Sequence, residues 1–316
     1  MKFSERYNDF PKPLRKGKYP FIICMISLGI VMFAVFYVGI NIQSILMAFR
    51  RFEGYGENGN EIYSWTLENF GKMFDALSGN AGDESQRQLA LAFKNTLLLY
   101  VCGNAVTFPV GWFVSYYFWK KMKGHKFFRI VFYLPHIISA VVMTILYKNI
   151  IAPNGLIGAI SIKLMGETVP PWLYQDSTAI WAVYIYNTWI GFGGEFLLLT
   201  SALTRIPEDI IESAKLDGIT PFKEFFKICI PLIWPTLYII ILQKIAGILA
   251  ADGPILLLTN GNNETYTLGF WSYMQVIVGH SYEFPSAVGL VMTLVVAPVA
   301  IAARKLLGRV YRDVEY

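Results

Sequence analysis

Long apolar stretches constrain the fold of this chain more than any other feature of its sequence. A helix that crosses a lipid bilayer needs about 20 mostly apolar residues. In this chain 55% of the residues are hydrophobic and 16% are charged, whereas a soluble domain carries about 25% charged residues. The sequence therefore predicts an all-α membrane protein with six transmembrane helices, at about 20–47, 89–118, 127–150, 179–203, 228–251 and 284–308.

The distribution of lysine and arginine predicts how these helices are oriented. Positively charged residues are retained in loops on the cytoplasmic side of a membrane. Residues 252–283 contain no lysine or arginine, whereas the N-terminal stretch, the loops after the second and fourth spans, and the C-terminal tail are rich in both. We expect both termini in the cytoplasm, as an N-terminal segment 1–19 and a tail 309–316 around a six-span domain 20–308. The net charge of +5 then reflects topology.

The loops on the opposite side carry a different composition. The first of them, about 48–88, is long, polar and net acidic, and the third contains the turn-rich segment Thr259–Asn263. Two interpretations stay open for these loops, namely solvated linkers and a landing surface for an external protein. The three cysteines lie in or beside apolar runs without metal-ligand spacing, so the sequence predicts no metal site.

A short polar segment between the fourth and fifth apolar runs carries a helix–turn–helix pattern. Pro207 is suited to the first turn of a helix, where its missing N–H leaves no hydrogen bond unmade. Gly218 stands where a left-handed residue ends a helix, and Thr220 and Pro221 are suited to begin the next one. The pattern is compatible with a DNA-binding element, a helical loop on the membrane surface, or a docking element for a cytoplasmic partner. DNA is disfavoured because acidic residues would face its phosphates: Glu208, Asp209, Glu212, Asp217 and Glu224.

This segment resembles the EAA signature of permease subunits of binding-protein-dependent ABC importers. In the signature, E-A-A is followed after three residues by G, and after nine more by I-x-L-P. This chain has Glu212-Ser213-Ala214, then Gly218, and then Ile228-Cys229-Ile230-Pro231, with serine for one alanine and isoleucine for the leucine. The resemblance implies a fold like that of type I ABC importer permeases, with 206–231 as a coupling loop. The implied coupling residues are Pro207, Glu212, Ser213, Ala214, Asp217, Gly218 and Pro231.

Other short motifs resemble the carbohydrate-uptake branch of the same family. They are Phe127-Phe128-Arg129, Tyr133-Leu134-Pro135-His136, Ile206-Pro207, Asp252-Gly253-Pro254 and Thr265-Tyr266-Thr267-Leu268. They follow one another in the family's order, and the resemblance covers most of the chain. It implies a bacterial inner-membrane protein that imports a sugar or oligosaccharide.

The sequence contains no pattern for binding nucleotide phosphates. A P-loop requires Gly-Lys followed by Ser or Thr, but the Gly-Lys pairs here continue as Gly17-Lys18-Tyr19 and Gly71-Lys72-Met73. We therefore expect a transport subunit that is not an enzyme, with ATP and magnesium bound by a partner. The resemblance implies three kinds of partner: a second homologous permease, a dimer of ABC ATPases, and an extracytoplasmic solute-binding protein.

Polar residues inside the predicted spans are candidates for the solute path, because they are costly at membrane depth. The candidates are Tyr186, Asn187, Glu195 and Lys244. Counted from the inner ends of their spans, Glu195 and Lys244 differ in depth by about 12 Å at about 1.5 Å per residue. A direct ion pair is not expected unless a helix breaks. A secondary transporter driven by an ion gradient, with Glu195 as the coupling carboxylate, is the alternative function.

Overall fold

The computed structural model describes residues 12–57, 59–250 and 253–309, with only the backbone for 12–19 and 250. These residues form two compact units, which are described separately. One unit ends at Phe70 and includes Tyr282–Leu290, and the other contains Gly71–Ser281 and continues from Val291. The sequence predictions for residues 1–11, Asp252 and 310–316 lie outside the described residues.

The first unit begins with a long apolar helix. Helix α1 (Lys12–Met32) continues through a π-helical stretch (Phe33–Gly39) into α2 (Ile40–Ala48). Its large side chains are exposed on all sides: Phe21 and Phe36, for example, are each 64% exposed. A helix that is apolar all round needs an apolar environment, which agrees with the predicted first span.

A β-hairpin follows this helix in the same unit. Strand β1 (Arg50–Tyr55) pairs antiparallel with β2 (Glu61–Trp65), and a turn closed by the Gly59 amide on the Gly56 carbonyl at 2.9 Å joins them. The sequence prediction was for an all-α chain, and this hairpin departs from it. The strands are rich in aromatic residues, which favour extended backbone, and the segment lies outside the apolar runs that fix the helices.

The rest of the described chain is helical. The α-helices are α3 (Glu68–Leu77), α4 (Glu84–Trp119), α5 (His125–Ile137), α6 (Ala140–Ile151), α7 (Leu156–Met165), α8 (Asp176–Leu203), α9 (Glu208–Leu216), α10 (Pro221–Glu224), α11 (Ile230–Leu232), α12 (Trp234–Ala246), α13 (Ile255–Leu258), α14 (Leu268–Ile277) and α15 (Glu283–Leu307). Trp172–Tyr174 and Gly247–Ala250 are 3₁₀ turns, and Phe225–Cys229 is π-helical.

Helices α4 and α8 form the centre of the second unit. They pack along each other, and the Ser115 hydroxyl of α4 donates to the Phe196 carbonyl of α8 at 3.3 Å. One apolar cluster surrounds Leu199, Leu203 and Phe225, and another surrounds Met143, Tyr147 and Ile255. The first cluster lies beneath the predicted coupling loop, so that loop is rooted in the helical core.

The N-terminal part of α4 is fixed to the chain around Tyr266. The Asn95 amide donates to the carbonyls of Glu264 at 2.7 Å and of Tyr266 at 2.8 Å. The Leu268 amide donates to the Thr96 hydroxyl at 2.9 Å. Two neighbouring side chains of α4 therefore satisfy the backbone at the start of α14, which a chain buried among helices requires.

Each predicted span contains helical residues, but not all of these helices are equally suited to cross a membrane, and the third suited stretch, Ala140–Met165, lies beyond most of the predicted span 127–150. By length and mean hydropathy, four stretches of the described residues can cross: Pro20–Ala48, Glu84–Trp119, Ala140–Met165 and Glu283–Leu307. A fifth candidate is the bent pair Pro221–Leu232 and Trp234–Leu249. Helix α8, at the predicted fourth span, is not among them. The chain is thus a multi-span helical membrane protein, and the count of six stays a prediction.

Two of the predicted spans are interrupted. The segment 127–150 divides into α5 and α6, with Ile138 and Ser139 in extended backbone between them. Pro135 lies near this break, and its missing N–H removes one helical hydrogen bond. In the predicted fifth span, the two helical parts meet at Ile233 with a bend of 77°.

Candidate functional site

Helix α9 begins the predicted coupling loop. Pro207 lies at its N-cap, with φ −58° and ψ 137°, and Glu208 and Asp209 follow in the first turn. The sequence prediction placed Pro207 inside the first turn, so it was wrong by one position. The extended backbone of Pro207 turns the chain into the helix, and the two acids lie where the helix dipole favours negative charge.

The turn after α9 depends on Gly218. Its φ is +72°, in the left-handed region where glycine carries no steric penalty. The Gly218 amide donates to the Lys215 carbonyl at 3.0 Å, and the Ile219 amide donates to the Ala214 carbonyl at 3.1 Å. These bonds satisfy the carbonyls left free at the helix end. The predicted left-handed glycine is confirmed.

The next helix starts as the sequence predicts, except for one contact. Thr220 has extended backbone at the N-cap and Pro221 is the first residue of α10. The Thr220 side chain makes no capping hydrogen bond. Pro231 lies farther along, half-buried in α11. The loop thus brings six of the seven predicted coupling residues, 207–218, into one helix and its turn.

Burial divides α9 into a root and a tip. Ile211 and Ala214 are 6% and 8% exposed, and Ile211 belongs to the apolar cluster around Leu203. The other predicted coupling residues on this helix and turn, Glu212, Ser213, Asp217 and Gly218, are exposed. Leu216 is 90% exposed, although it is a large apolar side chain. The helix therefore presents an uncovered tip on a fixed base.

A buried ion pair that was not predicted from the sequence supports this loop. Glu224 is 3% exposed, forms a salt bridge with Lys120, and accepts a hydrogen bond from the Tyr116 hydroxyl at 3.2 Å. The Lys120 ammonium also lies 4.9 Å from the centre of the Trp119 ring. Sequence reasoning used Glu224 only as an argument against DNA. Its position just before the apolar pair Phe225-Phe226 was the one indication in the sequence that Glu224 is buried.

A cavity of about 630 Å³ lies beside α9. Apolar side chains of α4 and α9 form part of its wall, including Phe118 and Ile211. Its charged and titratable residues carry both signs: Lys120, Lys121, His125, Arg129, Lys215, Glu208 and Glu212. The cavity therefore brings charged, accessible side chains of the loop next to its buried residue Ile211.

Two of the predicted solute-path residues meet inside the helices. Glu195 of α8 and Lys244 of α12 form a salt bridge, with 17% and 20% of their side-chain surfaces exposed. The Lys244 ammonium also donates to the Asn104 side-chain carbonyl at 2.6 Å. The expectation that these two charges would not pair was wrong. Among the described residues, the second carboxylate oxygen of Glu195, Oε2, has no hydrogen-bond partner.

The bend at Ile233 explains why these charges pair. Depth counting assumed that the predicted fifth span runs straight from residue 228. In the structure, the helix that carries Lys244 begins only at Trp234, after the 77° bend. Counted from the bend, Lys244 stands about 16 Å along its helix, and Glu195 stands about 12 Å from the end of α8, at about 1.5 Å per residue. The two depths then agree within reach of a lysine side chain.

The other two solute-path candidates lie elsewhere and are packed. Tyr186 is 3% exposed, and its hydroxyl lies 3.2 Å from that of Thr144, within the cluster around Tyr147. Asn187 is half-buried and packs closely on Gly253. A Cβ added to Gly253 would lie only 2.4 Å from the amide nitrogen of Asn187. Of the four candidates, the structure therefore brings together only Glu195 and Lys244.

Comparison with protein families gives a match over most of the chain. Residues 107–314 match the family described as "Binding-protein-dependent transport system inner membrane component". The matched range contains α9, the Gly218 turn, Glu195 and Lys244.

Named relatives share about a quarter of their residues with this chain. The probable ABC transporter permease protein YesP of Bacillus subtilis (strain 168) is 24% identical over 240 residues, which cover 74% of each chain. The maltose/maltodextrin transport system permease protein MalF of Salmonella typhimurium is 27% identical over 73% of this chain, but only 46% of MalF is covered. MsmF of Streptococcus mutans, a multiple sugar-binding transport system permease, is 26% identical over 59% of this chain and 64% of its own length.

Solved structures share the fold. A chain of a bacterial ABC transporter involved in import of the acidic polysaccharide alginate aligns with a TM-score of 0.77. The alignment covers 95% of this chain and 99% of that one, at 22% sequence identity. A second structure, of the alginate transporter in complex with an alginate pentasaccharide-bound periplasmic protein, aligns equally well, at 20% identity.

Proposed function

This chain belongs to the family of binding-protein-dependent transport system inner membrane components, and we propose that it is the permease subunit of an ATP-driven importer of a sugar or oligosaccharide. Support for the solute class comes from relatives named for maltose, maltodextrin and multiple-sugar transport. The alternative, a secondary transporter driven by an ion gradient, gains no support from these matches.

The tip of α9 is the proposed contact with the energy source. The observation that carries this proposal is an exposed helix end, with Leu216 90% exposed, on a base anchored by Ile211 and by the Lys120–Glu224 ion pair. An ATPase that moves a membrane subunit must bind an accessible surface of that subunit, and this surface must rest on a rigid base. In the proposed mechanism, Leu216, Glu212 and the Gly218 turn seat in a cleft of a separate ATPase. Closure of the ATPases then pulls on the root of the loop.

The remaining partners follow from the same proposal. The ATPases bind ATP and magnesium, because this chain has no P-loop pattern for nucleotide phosphates. A second homologous permease completes the pore, and an extracytoplasmic binding protein delivers the solute. One structural neighbour was solved with a periplasmic protein that carries a pentasaccharide, which supports such a delivery step here. The protein works in a bacterial inner membrane with both termini in the cytoplasm.

Glu195, Lys244 and Asn104 form the proposed polar contact of the solute path. Their side chains supply donors and acceptors within the predicted spans, where polar groups are costly, and Oε2 of Glu195 is unpartnered among the described residues. A passing sugar hydroxyl can donate to such an oxygen. Tyr186 and Asn187 support the path as packed residues of the same helix, more than two turns before Glu195.

Reconstitution tests the proposed function. The chain is purified with the proteins that co-purify, placed in proteoliposomes, and given the sugar that stabilises its binding protein in a thermal-shift screen. We expect uptake that requires binding protein and ATP and that persists when ionophores collapse ion gradients. Uptake by the purified chain alone, driven by a proton or sodium gradient, would establish the secondary transporter instead.

A further inference from the structure

The hairpin β1–β2 gathers aromatic side chains on one face. In an antiparallel pair, residues directly opposite each other point to the same side. Arg50 lies opposite Trp65, and Phe52 lies opposite Tyr63. Since side chains alternate along a strand, both pairs share one face, which we call the aromatic face.

A β-bulge adds Tyr55 to the aromatic face. Phe52 and Tyr55 are three residues apart and would point to opposite sides of a regular strand. The register shifts between Phe52 and Gly54, so that Tyr55 lies opposite Glu61. The rings of Phe52 and Tyr55 consequently meet, with their centres 5.3 Å apart. Gly54 has φ +145°, a conformation that L side chains rarely adopt, so the bulge depends on this glycine.

The aromatic face is exposed, although it is made of large apolar rings. Tyr55 is 70% exposed, Trp65 67% and Phe52 41%. The Arg50 guanidinium lies 5.3 Å from the Trp65 ring and 5.9 Å from the Tyr63 ring. The Tyr63 hydroxyl donates to Glu61 at 2.7 Å, and this hydrogen bond, together with partial burial and the charge of Glu61, raises the pKa of Tyr63 to about 12. The face therefore combines aromatic rings, the Arg50 cation, the Glu61 carboxylate at its edge and a neutral hydroxyl.

The opposite face has another character. It carries Ile62 and also Arg51, which forms a salt bridge of 2.8 Å with Glu68.

The rings on the aromatic face meet edge to face, at 72° for Phe52 and Tyr55 and at 65° for Phe52 and Tyr63. Rings arranged in this way offer no flat platform for stacking a sugar. Such uneven rings pack better against a deformable surface than against a rigid, flat ligand.

The hairpin is fixed to the end of the first membrane helix. Asn69 is 5% exposed and donates to the carbonyls of Ala48 at 3.2 Å and of Arg50 at 2.8 Å. The Thr66 amide donates to the Phe49 carbonyl at 2.8 Å. The aromatic face therefore starts two residues after an apolar stretch, Pro20–Ala48, that is long enough to cross a membrane.

We propose that the aromatic face lies on the headgroup layer of the membrane at the outer end of the first span. Tryptophan, tyrosine and arginine with their apolar parts towards lipid are typical of membrane interfaces. The six residues of β1 extend about 20 Å at about 3.3 Å per residue, whereas each headgroup layer is only about 5–8 Å thick. All of the rings contact lipid only if the hairpin lies flat. In this position it fixes the depth and rotation of the first span.

Site-directed spin labelling tests this placement. The cysteines at 24, 102 and 229 are replaced, and nitroxide labels are attached in turn to Phe52→Cys, Tyr55→Cys and, as a matched control, Ile62→Cys. Ile62 is 48% exposed and apolar but lies on the opposite face. The full chain, with its co-purifying partners, is placed in phosphatidylcholine nanodiscs. Collision with lipid-soluble oxygen is then compared with collision with a water-soluble nickel chelate.

We expect labels at 52 and 55 to favour oxygen several-fold more than the label at 62. Equal accessibility to nickel at all three positions would overturn the proposal. So would labels at 52 and 55 that are shielded only after the binding protein is added, because the face would then be a protein-docking surface. Uptake by each labelled variant confirms that it is folded. Labels at 52 and 55 that favour oxygen even in a variant without uptake still support the proposal, because lipid contact does not depend on transport.

Discussion

Gly218 is a residue whose backbone conformation leaves little choice of side chain. Its φ is +72°, which L side chains rarely adopt. The space around it is open, since a Cβ there would meet nothing within 4 Å. A bulky residue would be strained by about 1–3 kcal/mol at such an angle. The same side chain would also project from the exposed turn. A substitution at this position therefore changes both the angle of the turn and the surface that a partner meets.

We expect Gly218→Trp to abolish uptake while the chain stays in the membrane. Gly166→Trp is the matched control, because Gly166 has φ +76° and equally open surroundings in another loop. Asparagine tolerates left-handed backbone, so Gly218→Asn should keep most of the uptake. Membrane content is measured by immunoblot and coupling by solute-stimulated ATP hydrolysis. Normal stimulation in the Gly218→Trp complex would count decisively against a coupling role.

Glu212 tests the same surface through charge. Glu212→Arg reverses one exposed charge in α9 without touching the buried base, and we expect it to abolish uptake. Asp209→Arg is the comparison, since Asp209 is also exposed on this helix but lies outside the predicted coupling residues. Similar loss in both variants, measured as uptake per chain in the membrane, would point to the helix dipole and not to docking.

The ion pair of Glu195 and Lys244 can be tested by removing one charge or both. Glu195→Gln leaves Lys244 without its counter-charge, and breaking a buried pair typically costs about 3–5 kcal/mol. Both side chains are still about one-fifth exposed, which moderates the loss. Glu195→Gln with Lys244→Met should recover most of the thermal stability in detergent. Transport that stays low in the stable double variant would assign the pair to the solute path. Transport that returns with stability would assign it to structure alone.

At the scale of elements, the helix and turn of the predicted coupling loop were largely predictable from the sequence, and the contacts that support them were not. Pro207, Gly218 and Pro221 act through backbone geometry, which is a local property of the sequence. Glu224 acts through Lys120 and Tyr116, more than 100 residues earlier in the chain. Local pattern carries no information about such a partner. The hairpin was missed for a related reason, because its bulge and its pairing depend on both strands together.

The 77° bend shows what a local prediction cannot supply. The apolar run of residues 228–251 indicated a single straight helix, and depth counting then separated Glu195 from Lys244. Pro231 and Pro235 remove helical N–H donors on either side of Ile233, so the break had a signal in the sequence. Its angle depends on packing against the cluster around Leu203 and Phe225.

Glu224→Gln should loosen the whole coupling loop. It removes the charge that pairs with Lys120, so the loop loses one of its two anchors and keeps only the apolar one at Ile211 and Ala214. We expect faster amide hydrogen exchange across residues 206–232, with little change in α14. Uptake should fall in parallel. Lys123→Gln is the control, because Lys123 lies in the same basic stretch and is exposed. Unchanged exchange in the Glu224→Gln variant would show that the pair does not hold the loop.

At the scale of the whole molecule, the proposal predicts an assembly. Affinity purification of the chain in mild detergent should recover an ATPase and a second permease in defined ratio. Solute-loaded binding protein should raise ATP hydrolysis of this assembly severalfold, as a delivery signal. A chain that purifies alone from a membrane in which all of these proteins are expressed would contradict the proposed partners.

The length of helix α4 has a consequence for how a movement at one of its ends reaches the other. The helix contains 36 residues, so it is about 54 Å long at about 1.5 Å per residue, while a bilayer with its headgroups is about 40–45 Å thick. One end holds the coupling loop through Tyr116, and Asn95 near the other end holds the chain at Tyr266. The helix is thus one continuous element, and a displacement at its Tyr116 end must either shift its whole length or bend it at Pro109. Because Pro109 has no N–H to complete the helical hydrogen bonding, the helix bends most easily there.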